Sequence, residues 1–284
     1  QAGFQGGRYP GSQVSIAIRT TSAMVNHQYS RVNPIRWRQW AWGVLPVLVF
    51  FGLWEGAARL QLIPGDRLLP PFSGVLQEGV HLIQNGVLFD HFVSSFLRVV
   101  IGLCAGSAAG VGLGIVMGTQ DVLQKTFSPV ISLLYPIPAL GWLPLFMLWI
   151  GINELLPIAI IFICSFFPIY YNTLTGIREV NPQLLSVART LGSSERWIVY
   201  RVILPLALPN IFTGLRLQAG MAWRVIVAAE MVAIPTGIGA LMMRAESLVR
   251  VDVILVCLLL LSVMCLLFER FFILVEEQLT AGWK

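Results

Sequence analysis

FVSSFLRVVIGLCAGSAAGVGLGIVMG, residues 92–118, is an apolar run long enough to cross a bilayer, with a glycine at every fourth position from Gly102 onward. A spanning helix needs about 20 apolar residues, because the hydrocarbon core is about 30 Å thick and each residue rises 1.5 Å. Positions four apart drift by only ~40° around a helix of 3.6 residues per turn. Gly102, Gly106, Gly110, Gly114 and Gly118 therefore form one bare ridge. In lipid, helices associate through close packing, and small residues let a neighbouring backbone approach. The ridge reads as a helix–helix contact inside a membrane bundle and not as a ligand site.

The rest of the chain agrees. Of its 284 residues, 56% are hydrophobic and only 12% charged, with a mean hydropathy of +0.76. That charge is too sparse to coat a soluble surface. Besides the run at Phe92–Met117, five further candidate spans lie roughly at Trp42–Leu60, Phe127–Ile150, Leu155–Gly176, Ala207–Glu230 and Val253–Val275. The expectation is an all-α membrane protein of about six transmembrane helices, its transmembrane domain covering residues 39–284. Residues 1–38, rich in Gly, Ser, Thr and Gln, are read as a partly disordered cytoplasmic tail. The net charge of +5 comes from arginines scattered between apolar runs, with no basic stripe for nucleic acid. On a six-span path Arg31, Arg36, Arg38, Lys125, Arg178, Arg189, Arg196, Arg201 and Lys284 share one side, and Arg59, Arg67, Arg244 and Arg250 the other. The excess of positive charge predicts that both termini are cytoplasmic.

The third span, SPVISLLYPIPALGWLPLFMLWIG (128–151), holds Pro129, Pro136, Pro138 and Pro144. Proline removes an amide donor and clashes with the preceding turn. Broken backbone survives at membrane depth only where protein or water covers it. The break, with Pro138 and Trp142, is therefore expected to face the bundle interior or a pore; a kinked packing helix is the alternative. The fifth span contains Arg216 and Arg224. A charge near the bilayer centre costs ~3 kcal/mol or more on insertion scales, so such residues face a cavity or a partner. Arg224, with Met221 beside it, is expected on a permeation path that favours an anion; an ion pair with Glu154 or Glu230 is the structural alternative. Arg216 is read as snorkelling or as holding the break in the third span. Glu230 ends the span and is grouped with the path. The following IPTGIGALM (234–242) carries Pro235, Gly237 and Gly239, a turn that either re-enters the outer membrane face or forms a simple exposed loop.

One long hydrophilic segment separates the fourth and fifth spans: GIREVNPQLLSVARTLGSSERWIVYRVILPLAL, residues 176–208. Its end signals predict two short helices. Asn181 caps the first, with Pro182 in its first turn, and Gly192 closes it in the left-handed conformation. Ser193 or Ser194 starts the second, before Glu195. Pro205 and Pro209 are expected to mark a bend into the fifth span. The result is a knob with Trp197, Ile198 and Tyr200 as contact area, suited to docking in a soluble partner or to lying on the lipid surface.

Other chemistry is missing. A phosphate-cradling loop needs Gly-Lys-Ser or Gly-Lys-Thr, yet the chain has only Lys125 and Lys284, preceded by Gln124 and Trp283. HExxH and GxSxG are absent. Cys104, Cys164, Cys257 and Cys265 lie in apolar runs without metal-site spacing and read as small buried hydrophobes. His27, His81 and His91 are scattered, the last two in a predicted outer loop. Neither an enzyme nor a metal site is expected, so active transport would draw its energy from a partner. A gradient-driven secondary transporter or channel is the rival reading, although the predicted spans hold no central acidic residue for a coupling ion.

The 186–205 segment resembles the cytoplasmic signature of permeases of ATP-binding-cassette importers: EAA, three residues, Gly, nine residues, then I-x-L-P. Ser186, Val187 and Ala188 stand at the EAA positions, Gly192 at the glycine, Val202 at the isoleucine and Leu204–Pro205 at the final pair. Ser186 replaces the acidic residue. PIPALGWLPLFMLWIG, GLRLQAGMAWRVIVAAEM and the terminal LTAGW look like the nitrate/sulfonate/taurine branch. The resemblance covers roughly residues 40–284. It implies a type I importer permease fold in a bacterial inner membrane. It also implies a second permease copy, two cytoplasmic ATPases that use ATP and Mg2+, and a periplasmic binding protein that delivers the substrate. Nitrate, taurine, alkanesulfonates, bicarbonate or a vitamin precursor are the candidate cargoes. In that family the short helices around Gly192 dock in the ATPase, which assigns coupling to Ala188, Gly192, Ser193, Ser194, Glu195, Trp197, Leu204 and Pro205.

Overall fold

A computed structural model describes residues 36–61 and 68–280. Most of the 1–38 tail, Arg67, His27, Lys284 and the closing Ala281–Trp283 lie outside the described residues. Two compact units are distinguished, residues 1–54 and 55–284. Helix α1 (Arg36–Arg59) belongs to the first as far as Trp54, and there Phe51 and Trp54 stack with centroids 6.2 Å apart. The second unit holds the remaining helices.

The ordered elements among the described residues are all helical. Four are long and apolar enough to cross a membrane: α3 (Val87–Thr119), α6 (Leu155–Arg178), α9 (Leu204–Ala233) with the helical turns that precede it, and α11 (Val251–Thr280). A fifth span is made if α4 (Asp121–Leu134) is joined to the short 3-10 turn Ala139–Trp142 and α5 (Leu143–Trp149), a pair bent by 85°. The described residues thus supply four or five spans and do not establish the sixth. Helix α1, with 24 residues and so about 36 Å of rise, has the length that one more span requires.

The glycine ridge sets the layering. A Cβ on Gly106 would come within 2.7 Å of the Phe162 carbonyl, on Gly110 within 2.8 Å of the Phe166 carbonyl, and on Gly114 within 2.6 Å of Thr173 Cβ. Gly102 and Gly118 meet Ile161 and Ile177 just as closely. Helices α3 and α6 therefore lie backbone to backbone over four turns. On its other side α6 packs on α9, where Gly176 abuts Asn210 and Gly214 abuts Asn172, and α9 in turn packs on α11. The fully buried Trp223 stacks on Phe92 with centroids 6.4 Å apart and meets Phe268 of α11 edge-on.

The third span is broken, as its prolines led the sequence reading to expect, and two other expectations change. Pro136 and Pro138 leave only the Ile137 amide to close the turn, onto the Leu134 carbonyl at 3.1 Å, and the chain swings round at Pro138. The region expected as an outer loop contains α2 (Phe72–Gln84) and the first turn of α3. His81 is thus an exposed residue of α2, whereas His91, on α3, is partly buried with Nδ1 3.0 Å from the Gly237 amide. Finally, Pro205 and Pro209 do not bend the chain into the fifth span. The segment Val199–Ile203 widens to a π-helix, in which the Leu204 amide reaches back to the Val199 carbonyl, and the helix runs on from Glu195. A π turn removes the clash that Pro205 would cause in α geometry. Of the cysteines only Cys257 is fully buried; Cys164 and Cys265 are half-buried and Cys104 is exposed.

Candidate translocation pathway and coupling surface

The loop after α6 is built from its caps. Asn181 Oδ1 accepts the Gln183 amide at 2.8 Å and opens α7 (Pro182–Thr190). Gly192 has φ +82°, a left-handed conformation that is unstrained only without a side chain. Ser194 Oγ accepts the Trp197 amide at 3.4 Å and opens α8 (Glu195–Ile198). The Arg189 guanidinium reaches over Gly192 to Glu195, 2.7 Å away, and ties the two short helices together. Ile198, Ile203, Ala207, Val180 and Ile177 form the knob's own core, with Ala188, Val202 and Leu185 against it. Leu184, Val187, Leu191, Trp197 and Tyr200 are left exposed, Leu191 at 80%. Leu204 and Pro205, partly buried, sit where the π turn becomes α9.

The break between α4 and α5 opens a cavity of about 360 Å³ against α6 and α9. Pro138 and Met221 line it together, as the sequence grouped them, with Tyr135, Cys164, Phe167, Gln218 and Val225. Trp142 stands behind it, packed on Leu143, Leu156, Ile160, Val225 and Ala229. Arg224 lies on another side of α9. It shares a groove with Ser262, Cys265 and Glu269 of α11, and its Nη1 is 3.7 Å from Met221 Sδ. Arg216 faces Glu276 of α11 at 3.9 Å.

Both carboxylates considered for Arg224 are taken instead by Arg98, a residue of α3 that the sequence reading missed. Arg98 is 3% exposed and Glu230 fully buried. Nη1 of Arg98 donates to Glu230 at 2.6 Å and to the Thr236 carbonyl at 2.9 Å. Nε and Nη2 grip Glu154 in bidentate fashion at 2.6 and 2.8 Å. Glu230 also accepts from Ser95 Oγ at 2.8 Å and from the Gly239 amide at 3.0 Å, at the first turn of α10 (Ile238–Ser247). Gly237 follows in the same network: φ is +104°, and a Cβ there would strike the Glu230 carboxylate. This arrangement pins the turn 234–237 to α3. Glu230 is thus enclosed and faces no open surface. Glu154, outside the spans and largely exposed, is held below the usual carboxylate range chiefly by its hydrogen bonds to Arg98. The signal for Arg98 was available, because the rule that flagged Arg216 and Arg224 applies to an arginine inside the predicted second span.

Among the described residues no cluster of His, Cys, Asp or Glu could hold a metal ion. What the geometry offers is a mostly apolar cavity at a broken helix, beside a continuous helix that ends in an exposed apolar knob.

Comparison with known proteins agrees. Residues 110–280 match the family described as binding-protein-dependent transport system inner membrane component, and the chain belongs to that family. It is the membrane permease subunit of an ATP-binding-cassette importer. A putative ABC transporter permease of Methanocaldococcus jannaschii is 39% identical over 82% of this chain and 88% of its own length. The taurine transport permease of Escherichia coli K12 is 32% identical over 91% and 97%. A putative aliphatic sulfonates permease of Bacillus subtilis is 33% identical over 89% and 92%. Among solved structures, the inward-facing MetNI methionine ABC transporter aligns with a TM-score of 0.55 at 19% identity, over 71% of this chain and 97% of that one. The type I importer permease fold follows from that alignment.

Proposed function

We propose that two copies of this chain form the channel of an importer for a small organic sulfonate, taurine or an alkanesulfonate. Two cytoplasmic ATPases power it with ATP and Mg2+, and a periplasmic binding protein supplies the cargo. The permease lies in a cell inner membrane with both termini in the cytoplasm. The observation that carries this reading is the knob around Gly192. Its exposed Leu191, Trp197 and Tyr200 are the anchors an ATPase cleft would take, and α8 continues without interruption into α9. Large aromatic residues dominate such interfaces when their pockets exclude water. Closure of the ATPases then moves α9 and the cavity beside it as one rod. Docking must differ in energy between the two states for this to work.

The sulfonate class rests on the two relatives that carry sulfonates and on the mostly apolar cavity at Pro138 and Met221. Arg224 and Arg216 place positive charge on α9 outside this cavity, toward α11, and Trp142 packs behind it. The test is uptake of labelled taurine by proteoliposomes holding the permease with its ATPase and binding protein. Uptake that needs all three and internal ATP supports the proposal. Uptake by the permease alone, driven by an ion gradient, overturns it in favour of a secondary transporter.

A further inference from the structure

The cavity at the proline break holds one polar side chain on α9 that none of the transport reasoning above has used. Gln218 is 8% exposed, and its Oε1 receives only a weak contact from Cys164 Sγ at 3.8 Å. Its Nε2 makes no hydrogen bond among the described residues. The surrounding walls are Tyr135, Pro138, Phe167 and Met221. An amide on the wall of a mostly apolar cavity is placed to hydrogen-bond a polar group that enters it.

We propose that this cavity is a transit site for a sulfonate or carboxylate carried on a short methylene arm, and that Gln218 is its selectivity contact. The amide N–H donates to a sulfonate or carboxylate oxygen, while the aromatic and aliphatic walls take the methylene groups. A compact inorganic anion would surrender its hydration for one neutral donor and gain nothing from the walls. A neutral amide also suits passage, since a conducting site must bind well enough to admit its cargo and weakly enough to release it. A cavity of about 360 Å³ has room for such a molecule. The inference rests on the importer reading and adds to it the residue that meets the cargo.

The experiment compares wild type, Gln218→Leu and Gln218→Glu in the full complex in proteoliposomes. Uptake of taurine, ethanesulfonate and nitrate is measured beside the ATPase activity that the binding protein stimulates. The expected result is a fall in sulfonate uptake of about fivefold or more for Leu and about tenfold or more for Glu, with stimulated ATPase activity within twofold of wild type. Unchanged uptake in both variants overturns the proposal. So does a parallel loss of uptake and ATPase activity in both, which would make Gln218 a structural or coupling residue. A wild-type complex that carries nitrate but neither sulfonate refutes the organic-sulfonate assignment and leaves the importer intact. A complex that hydrolyses ATP and moves none of the three compounds counts against the proposed cargo itself.

Discussion

Replacing Arg98 by methionine keeps most of the side-chain volume and removes the cation. Glu230 would then lie fully buried with its ion partner gone, left to Ser95 and the Gly239 amide. Breaking a buried pair by deleting one partner costs about 3–5 kcal/mol, because the remaining charge is stranded away from water. At about 2–4 °C per kcal/mol for a chain of comparable size, the melting temperature should fall by roughly 6–20 °C. Thermal unfolding of the purified permease in nanodiscs, followed by tryptophan fluorescence, measures it. Trp223 is the natural reporter, since it packs on Phe92 and Phe96 of α3, the helix that carries Arg98. The double variant Arg98→Met/Glu230→Gln removes the stranded charge and should recover more than half of the loss. A single variant within about 2 °C of wild type, or a double variant no better than the single, would refute the argument that a charge pair holds the 234–237 turn to α3.

Other outcomes follow from the same geometry. Gly110→Ala should destabilise the permease by about 1–3 kcal/mol relative to Gly112→Ala, because the first Cβ meets the Phe166 backbone and the second meets nothing within 4 Å. The helix-propensity gain is common to both and cancels, so equal melting temperatures would count against backbone contact. Gly192→Ala should cost about 1–2 kcal/mol from its left-handed conformation alone, with no clash to relieve, and should loosen the complex with the ATPase in co-purification. Trp197→Ala should weaken that complex by about 10–30-fold in titration of the ATPase, the loss of one interface anchor. Glu154 has its folded-state pKa lowered by Arg98, so its contribution is present above the ordinary carboxylate range and is lost as pH falls through the folded value. Glu154→Gln should therefore cost less than about 1 kcal/mol at neutral pH, as suits a largely exposed partner, and should flatten the acid limb of a melting-temperature profile.

Much of the bundle was legible because membrane helices obey few rules. Apolar length placed α3, α6, α9 and α11, and the four-residue glycine period predicted a close helix contact along α3, whose partner the structure shows to be α6. Cap chemistry pointed to Asn181 and Gly192 and to Ser193 or Ser194, of which Ser194 is the cap. The misses have physical causes as well. Helix α2 is too short to span and carries polar residues, so a search for spans passes over it. Whether two prolines break a helix or are absorbed depends on the turn that precedes them: Pro136 and Pro138 flank a lone amide and split the span, whereas Pro205 is absorbed by a π turn. Arg224 lines a groove on another side of α9 from the cavity at the break. That cavity is lined instead by an uncharged amide, and Gln218 carries no charge to mark it in the run LRLQAGMAW. Pairing is also not local: Arg98 finds Glu154 and Glu230, 56 and 132 residues away along the chain.

The seam between α3 and α6 works like the teeth of a zip. Sliding one helix by a single residue would press Leu103, Ser107, Val111 or Ile115 where only hydrogen atoms now fit. A transport cycle must therefore carry the two helices as a single plate and place its joints at the ends, at Gln120, whose backbone is extended (φ −125°, ψ 99°), and at Asn181, where α6 hands over to the knob.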